Sequence, residues 1–173
     1  MPVITEITVT KRGRFALFLD GEFAFSVDDE TLAEERLHTG VFLSQEDIRR
    51  IEEEASFRYA KKKALSLLSH KDYTVQMMIQ RLLVYEVTEE IARAATQRMV
   101  ELGLINDRDY ALRCSRDLVN LKRYAPHRVA RELRYRGVPA DYIEEALAQF
   151  SEQDNAPIIA SAVLKKYYRD LDT

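Results

Sequence analysis

Tryptophan is missing from this chain of 173 residues, cysteine occurs once, and proline and glycine number four and five. Each scarcity excludes something. A lone Cys114 closes no internal disulfide, so no disulfide framework holds the fold. A reducing, cytoplasmic setting is expected. So few prolines and glycines leave long stretches without helix breakers. No apolar run approaches the roughly 20 residues a membrane-spanning helix needs. The start, "MPVITEITVTKRG", lacks the basic-then-apolar order of a signal peptide. A soluble cytosolic protein with no membrane partner is expected.

Chemistry is scarce too. Neither G-x-x-x-x-G-K-[ST] nor G-x-G-x-x-G occurs. His38, His70 and His127 lie far apart and lack metal-ligand spacing to one another or to Cys114. Cys114, beside Arg113, reads as a small buried residue rather than a nucleophile. Glu52-Glu53-Glu54 and Asp28-Asp29-Glu30 read as helix N-terminal charge and solvated surface, not as acid–base pairs. No residue can be cast in a catalytic role. The chain therefore reads as a non-enzyme with no cofactor and no metal.

What is present is charge, unevenly placed. The net charge of −3 hides an acidic head: residues 1–54 hold 6 basic and 13 acidic side chains, and residues 55–105 hold 8 and 5. The head also alternates. "VITEITVT", "RFALFLD" and "EFAFSVD" predict antiparallel strands near 3–10, 14–20 and 22–27, with Asp20-Gly21 as a hairpin turn. Asp28 predicts the cap of a short helix reaching Leu37, and Gly40 a stop. Ser44 opens a long helix to about Leu68, its acids first and its bases later, an order that suits the helix dipole. Everything after residue 55 reads helical.

A repeat lies in the helical part. Shifted by 51 residues, Tyr59-Ala60 falls on Tyr110-Ala111, Leu82 on Leu133, Val87 on Val138 and Ala95 on Ala146. Met78 likewise meets Val129, and Met99 meets Phe150. The register needs no gap and predicts a repeated three-helix unit. The expected fold is mainly α: tandem three-helix repeats in an elongated curved array, preceded by a small three-stranded antiparallel β segment with a helix. The expected divisions are 1–43 for the β-rich segment and 44–105 for the long helix and first repeat. The second repeat takes 106–153, and 154–173 the first helix of an incomplete third, an array that ends early or a shortened chain.

"KRYAPHRVARELRYRG" concentrates positive charge in this mildly acidic protein. On a helical wheel with Arg128 at zero, Pro126, Val129, Ala130 and Leu133 fall between roughly 100° and 200°. His127, Arg131 and Arg134 fall between roughly 240° and 300°, with Tyr135 near 340°. The apolar arc explains the folding of this helix. Nothing about folding requires the arginines to share an arc, where like charges repel by a few tenths of a kcal/mol. A binding surface for acidic groups is expected, because the planar fork of arginine meets carboxylate or phosphate in two bonds. The bland alternative is pairing with Asp141, Glu144 or Glu145. The candidate residues are Lys122, Arg123, His127, Arg128, Arg131, Arg134, Tyr135 and Arg136, with Lys61 and Lys62 as a second cluster. For Lys61-Lys62-Lys63, balance with Glu52 to Glu54 is the simpler expectation. The apolar helix "VQMMIQRLLVY" reads as core.

"ALSLLSHKDYTVQMMIQRLL", "MVELGLINDRDYALRCSRD" and "YAPHRVARELRYRGVPADYIEEAL" together resemble the RecX family of recombinase regulators. The residues that carry the likeness are Asp107 with Tyr110-Ala111, Arg131 with Glu132-Leu133 and Arg136-Gly137, and Ile143 with Ala146-Leu147. The resemblance implies a monomeric, non-enzymatic protein that binds the RecA recombinase filament in its helical groove and modulates ATP hydrolysis and strand exchange. Contact with single- or double-stranded DNA is compatible with it. Two other readings stay open. One is a nucleic-acid-binding helical-repeat protein, which a steep salt dependence on naked DNA would reveal. The other is a helical adaptor or scaffold using the Met-rich helix, which would survive exchange of the arginines. The family usually shows three full units, and Glu86 stands here where the second unit has Gly137.

Overall fold

The structure is a computed structural model and describes residues 1–152. The N-terminal head is an antiparallel sheet in chain order: β1 (Ile4–Val9), β2 (Phe15–Leu19) and β3 (Glu22–Val27). The β2–β3 turn places Asp20 and Gly21 both at positive φ, 50° and 86°, as a two-residue turn matched to strand twist requires. The Asp20 carboxylate also accepts the Val3 N–H at 3.0 Å, tying the hairpin tip to the chain start. The register shifts once in each strand pair, near Thr5 and near Ala24, which alternation alone does not predict.

Ile4, Leu17, Phe25 and Val27 turn one sheet face inward against Leu37, Leu43, Ile51 and Ala55. The short helix α1 (Asp29–Glu34) ends before Leu37. The Asp28 carboxylate before it accepts the buried Thr31 hydroxyl. Helix α2 (Gln45–Leu68) begins where Ser44 Oγ accepts the Asp47 N–H at 3.0 Å. Its 24 residues span about 36 Å, enough to serve two cores. Ile51 and Ala55 fill the head; Ala60 and Ala64 fill the next core.

That next core is closed by α3 (Val75–Leu83) and α4 (Glu89–Glu101), which bury Met78, Ile79, Leu82, Ala92, Ala95 and Met99. The third core belongs to α5 (Asp107–Asn120), α6 (Pro126–Tyr135) and α7 (Ala140–Glu152). The starts of α3, α4 and α5 carry side-chain caps from Thr74, Thr88 and Asn106. Helix α6 has no side-chain cap and instead carries Pro126 in its first turn, where the missing N–H costs nothing. The 51-residue repeat is physical: Ala60 and Ala111, Met78 and Val129, Leu82 and Leu133, and Ala95 and Ala146 are all buried in equivalent places. The packing thus forms three separate apolar clusters in chain order. The expected helix within 154–173 lies outside the described residues.

The two helical units keep their own cores and are fastened by polar bonds together with the side chain of Met77. The fully buried Thr74 hydroxyl donates to the Arg136 carbonyl at 2.5 Å and accepts the Met77 N–H at 3.1 Å. The Val75 N–H donates to Asp107 Oδ1 at 2.9 Å. Arg113 pairs with Asp72 at 3.1 Å, and Met77 packs against both cores. Gly137 lies directly over Gln76: a Cβ built there would meet Gln76 Cβ at 2.3 Å. The C-terminal end of α6 is thereby held on the first turn of α3.

Candidate partner-binding surface

Helix α6 buries Val129 and Leu133 completely, which turns Arg131 and Arg134 out to solvent. Neither arginine's side chain has an ion pair or hydrogen bond among the described residues. The pairing with Asp141, Glu144 or Glu145 that would make them ordinary surface charge does not form. Glu145 is taken by Arg108 at 2.5 Å, which holds its carboxyl below the usual range, and no α6 arginine pairs with Asp141 or Glu144. Tyr135 follows at 88% exposure, an unusual position for so large a ring. Arg128, half-buried, stacks 3.9 Å over the Tyr124 ring centroid, so its guanidinium is fixed in place. Lys122 Nζ lies 5.9 Å from the same centroid, and His127 is exposed beside it. Arg123 sits at φ 56° in the α5–α6 turn, exposed.

Arg136 departs from the rest of the row. It turns inward and donates to Glu132 at 3.0 Å, to the Tyr110 hydroxyl at 2.8 Å and to Cys114 Sγ at 3.3 Å. Burial works against its charge, yet the bonds to Tyr110 and Glu132 keep its pKa above the usual arginine value. It braces α6 against α5. Burial pushes the Cys114 thiol up, so it stays protonated.

The lysine cluster on α2 behaves differently from expectation. Lys61 lies over Phe57 at 4.6 Å, and Lys63 over Tyr85 at 4.9 Å and Tyr59 at 5.7 Å. Lys62 is exposed and has no ionic partner among the described residues. Balance with Glu52 to Glu54 fails for a geometric reason. From Glu54 to Lys61 is about 10 Å along the helix axis, and the residue one turn on from Glu54 is Arg58. Arg58 reaches Glu34 at 2.5 Å instead, and Glu54 faces Arg50 at 3.7 Å. The lysines and the α6 row belong to different units. The sequence also hid a cleft of about 820 Å³ beside the row, lined by Lys71, Asp72, Tyr110, Arg116, Glu132 and Tyr135 among others. Its walls come from positions up to 65 residues apart, and no local pattern marks them.

Arg131 and Arg134, without an ion pair among the described residues, thus stand beside an exposed tyrosine on a helix locked at one end. The family whose description is "RecX, second three-helix domain" matches residues 106–147, which hold α5, the whole of α6 and part of α7. "Regulatory protein RecX N-terminal domain" matches residues 2–44. The chain belongs to the RecX family. Regulatory protein RecX of Lactobacillus gasseri is 36% identical over 155 residues, covering 89% of this chain and 57% of that protein. That of Lacticaseibacillus paracasei is 30% identical over 149 residues, covering 86% and 62%. The chain thus spans about three fifths of the length of these relatives. A crystal structure of regulatory protein RecX superposes with a TM-score of 0.65 at 26% identity, over all of this chain and 86% of that one. RecX from Lactobacillus salivarius shares the fold, with a TM-score of 0.55 at 21% identity over 66% and 76% of the two chains. RecX relatives are named regulatory proteins, and this chain shares the family's build of a β-rich head followed by helical repeats. Among the described residues, no helix is long and apolar enough to cross a membrane.

Proposed function

We propose that this RecX chain binds the RecA recombinase filament, with the α6 row as its principal contact, and restrains the filament's ATP hydrolysis and strand exchange. The observation that carries the proposal is the pair Arg131 and Arg134: exposed, unpaired among the described residues, and adjacent to an 88%-exposed Tyr135. Free guanidinium forks meet carboxylates in bidentate fashion, and a protruding tyrosine is a typical interface anchor. Lys122, Arg123, His127 and Arg128 widen the same surface, and Lys61 and Lys62 offer a separate contact one unit away. Contacts spaced by rigid units bridge neighbouring recombinase protomers, and bridging resists the movements that accompany nucleotide turnover. Several weak contacts on one frame bind by avidity, so losing one cluster costs more than its own contacts. The chain acts as a monomer in the cytoplasm, within DNA repair and recombination.

Titrating the protein into recombinase filaments on single-stranded DNA tests this. ATP hydrolysis falls to a plateau as the protein saturates the filament. Unchanged turnover at saturating protein refutes the proposal.

A further inference from the structure

The acidic head carries its own concentration of positive charge. Three of its six basic residues, Lys11, Arg12 and Arg14, sit at the β1–β2 turn, and that turn faces the lysine end of α2. Between them lies a pocket of about 370 Å³. Five cations line it, Arg12 and Arg14 from the turn and Arg58, Lys62 and Lys63 from α2, against two carboxylates, Asp28 and Asp29. Both carboxylates also accept a hydrogen bond at the start of α1. Asp28 accepts the Thr31 hydroxyl, and Asp29 accepts the Glu30 N–H at 2.9 Å. Arg58 is neutralised by Glu34. The other four cations form no ion pair among the described residues, although the Asp28 charge acts on Arg14. Arg14 stacks 4.3 Å over the Tyr59 ring and bonds to the Ser26 carbonyl at 2.9 Å, and its buried Nε has no acceptor. Among the described residues Arg12 reaches only the Tyr59 hydroxyl, at 3.4 Å.

Folding does not call for this gathering. Like charges brought together from two elements repel, and the rest of the head has acids to spare for pairing. We infer that this pocket is an anion site that takes the phosphodiester backbone of single-stranded nucleic acid, independently of the α6 surface. Backbone fits better than a free nucleotide for two reasons. The pocket has no glycine-rich phosphate loop. Its one aromatic ring, Tyr59, is already engaged by Arg14, Lys63 and Arg12, which leaves no free platform for a base. A chain of phosphates crossing the pocket would meet Arg12 and Lys62 at its rim and Arg14 at its floor.

Binding of the full chain to a fluorescent oligothymidine, followed by anisotropy over a salt series, tests the site. The variant is Arg12→Glu with Lys62→Glu; both side chains are exposed, and circular dichroism checks that the fold is kept. A second variant, Arg12→Gln with Lys62→Gln, removes the charges without reversing them. We expect the reversal to weaken binding at least about tenfold. The log–log salt slope should fall by about 1.4, from two phosphate contacts at about 0.7 each. The glutamine pair should lower the slope equally with a smaller loss of affinity. Polyglutamate of equal charge should compete poorly, and so should ATP. Unchanged affinity and slope in both variants overturn the inference. So does displacement by polyglutamate as effective as by unlabelled oligonucleotide, which would mark an acidic protein surface as the partner. Displacement by micromolar ATP would likewise overturn it in favour of a free nucleotide.

Discussion

Replacing Gly137 by alanine probes the joint between the two helical units. Gly137 follows α6 at φ 82°, where its N–H bonds to the Arg134 carbonyl and the Val138 N–H to the Leu133 carbonyl, both at 3.0 Å. This is the paired closure of a helix that ends in a left-handed residue. An alanine there costs about 1–2 kcal/mol for conformation alone. The added Cβ also meets Gln76 Cβ at 2.3 Å and Cγ at 2.8 Å, with Gln76 Cα at 3.7 Å. Ordinary carbon contacts need about 3.5–4.0 Å. The obstructing Cβ is fixed by the backbone of α3, so rotating the glutamine gives no relief and the helix must move. Such overpacking adds about 1–3 kcal/mol. The total, about 3 kcal/mol, is a large share of the 5–15 kcal/mol typical of a folded chain. Gly103→Ala is the control: its φ is 76°, but nothing lies within 4 Å of the added carbon, so only the conformational cost applies. Urea denaturation followed by circular dichroism should rank the variants parent, then Gly103→Ala, then Gly137→Ala. Equal losses for the two alanines would refute the claim that Gly137 closes the joint.

Asp107 gives a pH test of the same joint. Burial raises its carboxyl above the ordinary aspartate value, with the Val75 N–H only partly opposing. The folded state therefore binds more protons just above the unfolded pKa, and this group's contribution to stability falls as pH rises through that window. Asp107→Asn keeps an acceptor oxygen without the charge, so it should match or exceed the parent at pH 7, whereas Asp107→Ala, leaving the Val75 N–H unmet, should cost about 1–3 kcal/mol. Thermal melts at pH 4 and pH 7 read both. Arg136→Ala should destabilise by about 1–3 kcal/mol because Tyr110 and Glu132 lose their bonds. Arg131→Ala should stay within about 0.5 kcal/mol; the same melts compare them. Glu86→Gly, at φ 63°, should stabilise by about 1 kcal/mol in urea.

Much of this architecture could be read from local pattern, and its limits are instructive. Asp20-Gly21, Ser44 and Pro126 mark a turn and two helix starts through their own backbone chemistry, and each element forms there. The 51-residue shift works because burial repeats with it, as at Leu82 and Leu133. Even the mismatch of Glu86 with Gly137 is a true equivalence, since both adopt positive φ. What stayed hidden depends on residues far apart. Thr74 meets the Arg136 carbonyl across 62 positions, and Arg12 meets Tyr59 across 47. Arg136 reads as one more candidate of the row because local sequence does not show Tyr110 beneath it. The α2 lysines read as partners of nearby glutamates because local charge balance does not show which aromatic rings stand closer in the fold.

The most direct test of the central claim compares the parent with Arg131→Glu/Arg134→Glu for inhibition of recombinase ATP hydrolysis on single-stranded DNA. Arg36→Glu/Arg49→Glu, two exposed arginines of the head, matches the change in charge. The α6 variant should need at least about tenfold more protein for half-inhibition while the head variant follows the parent. Equal inhibition by all three would contradict it.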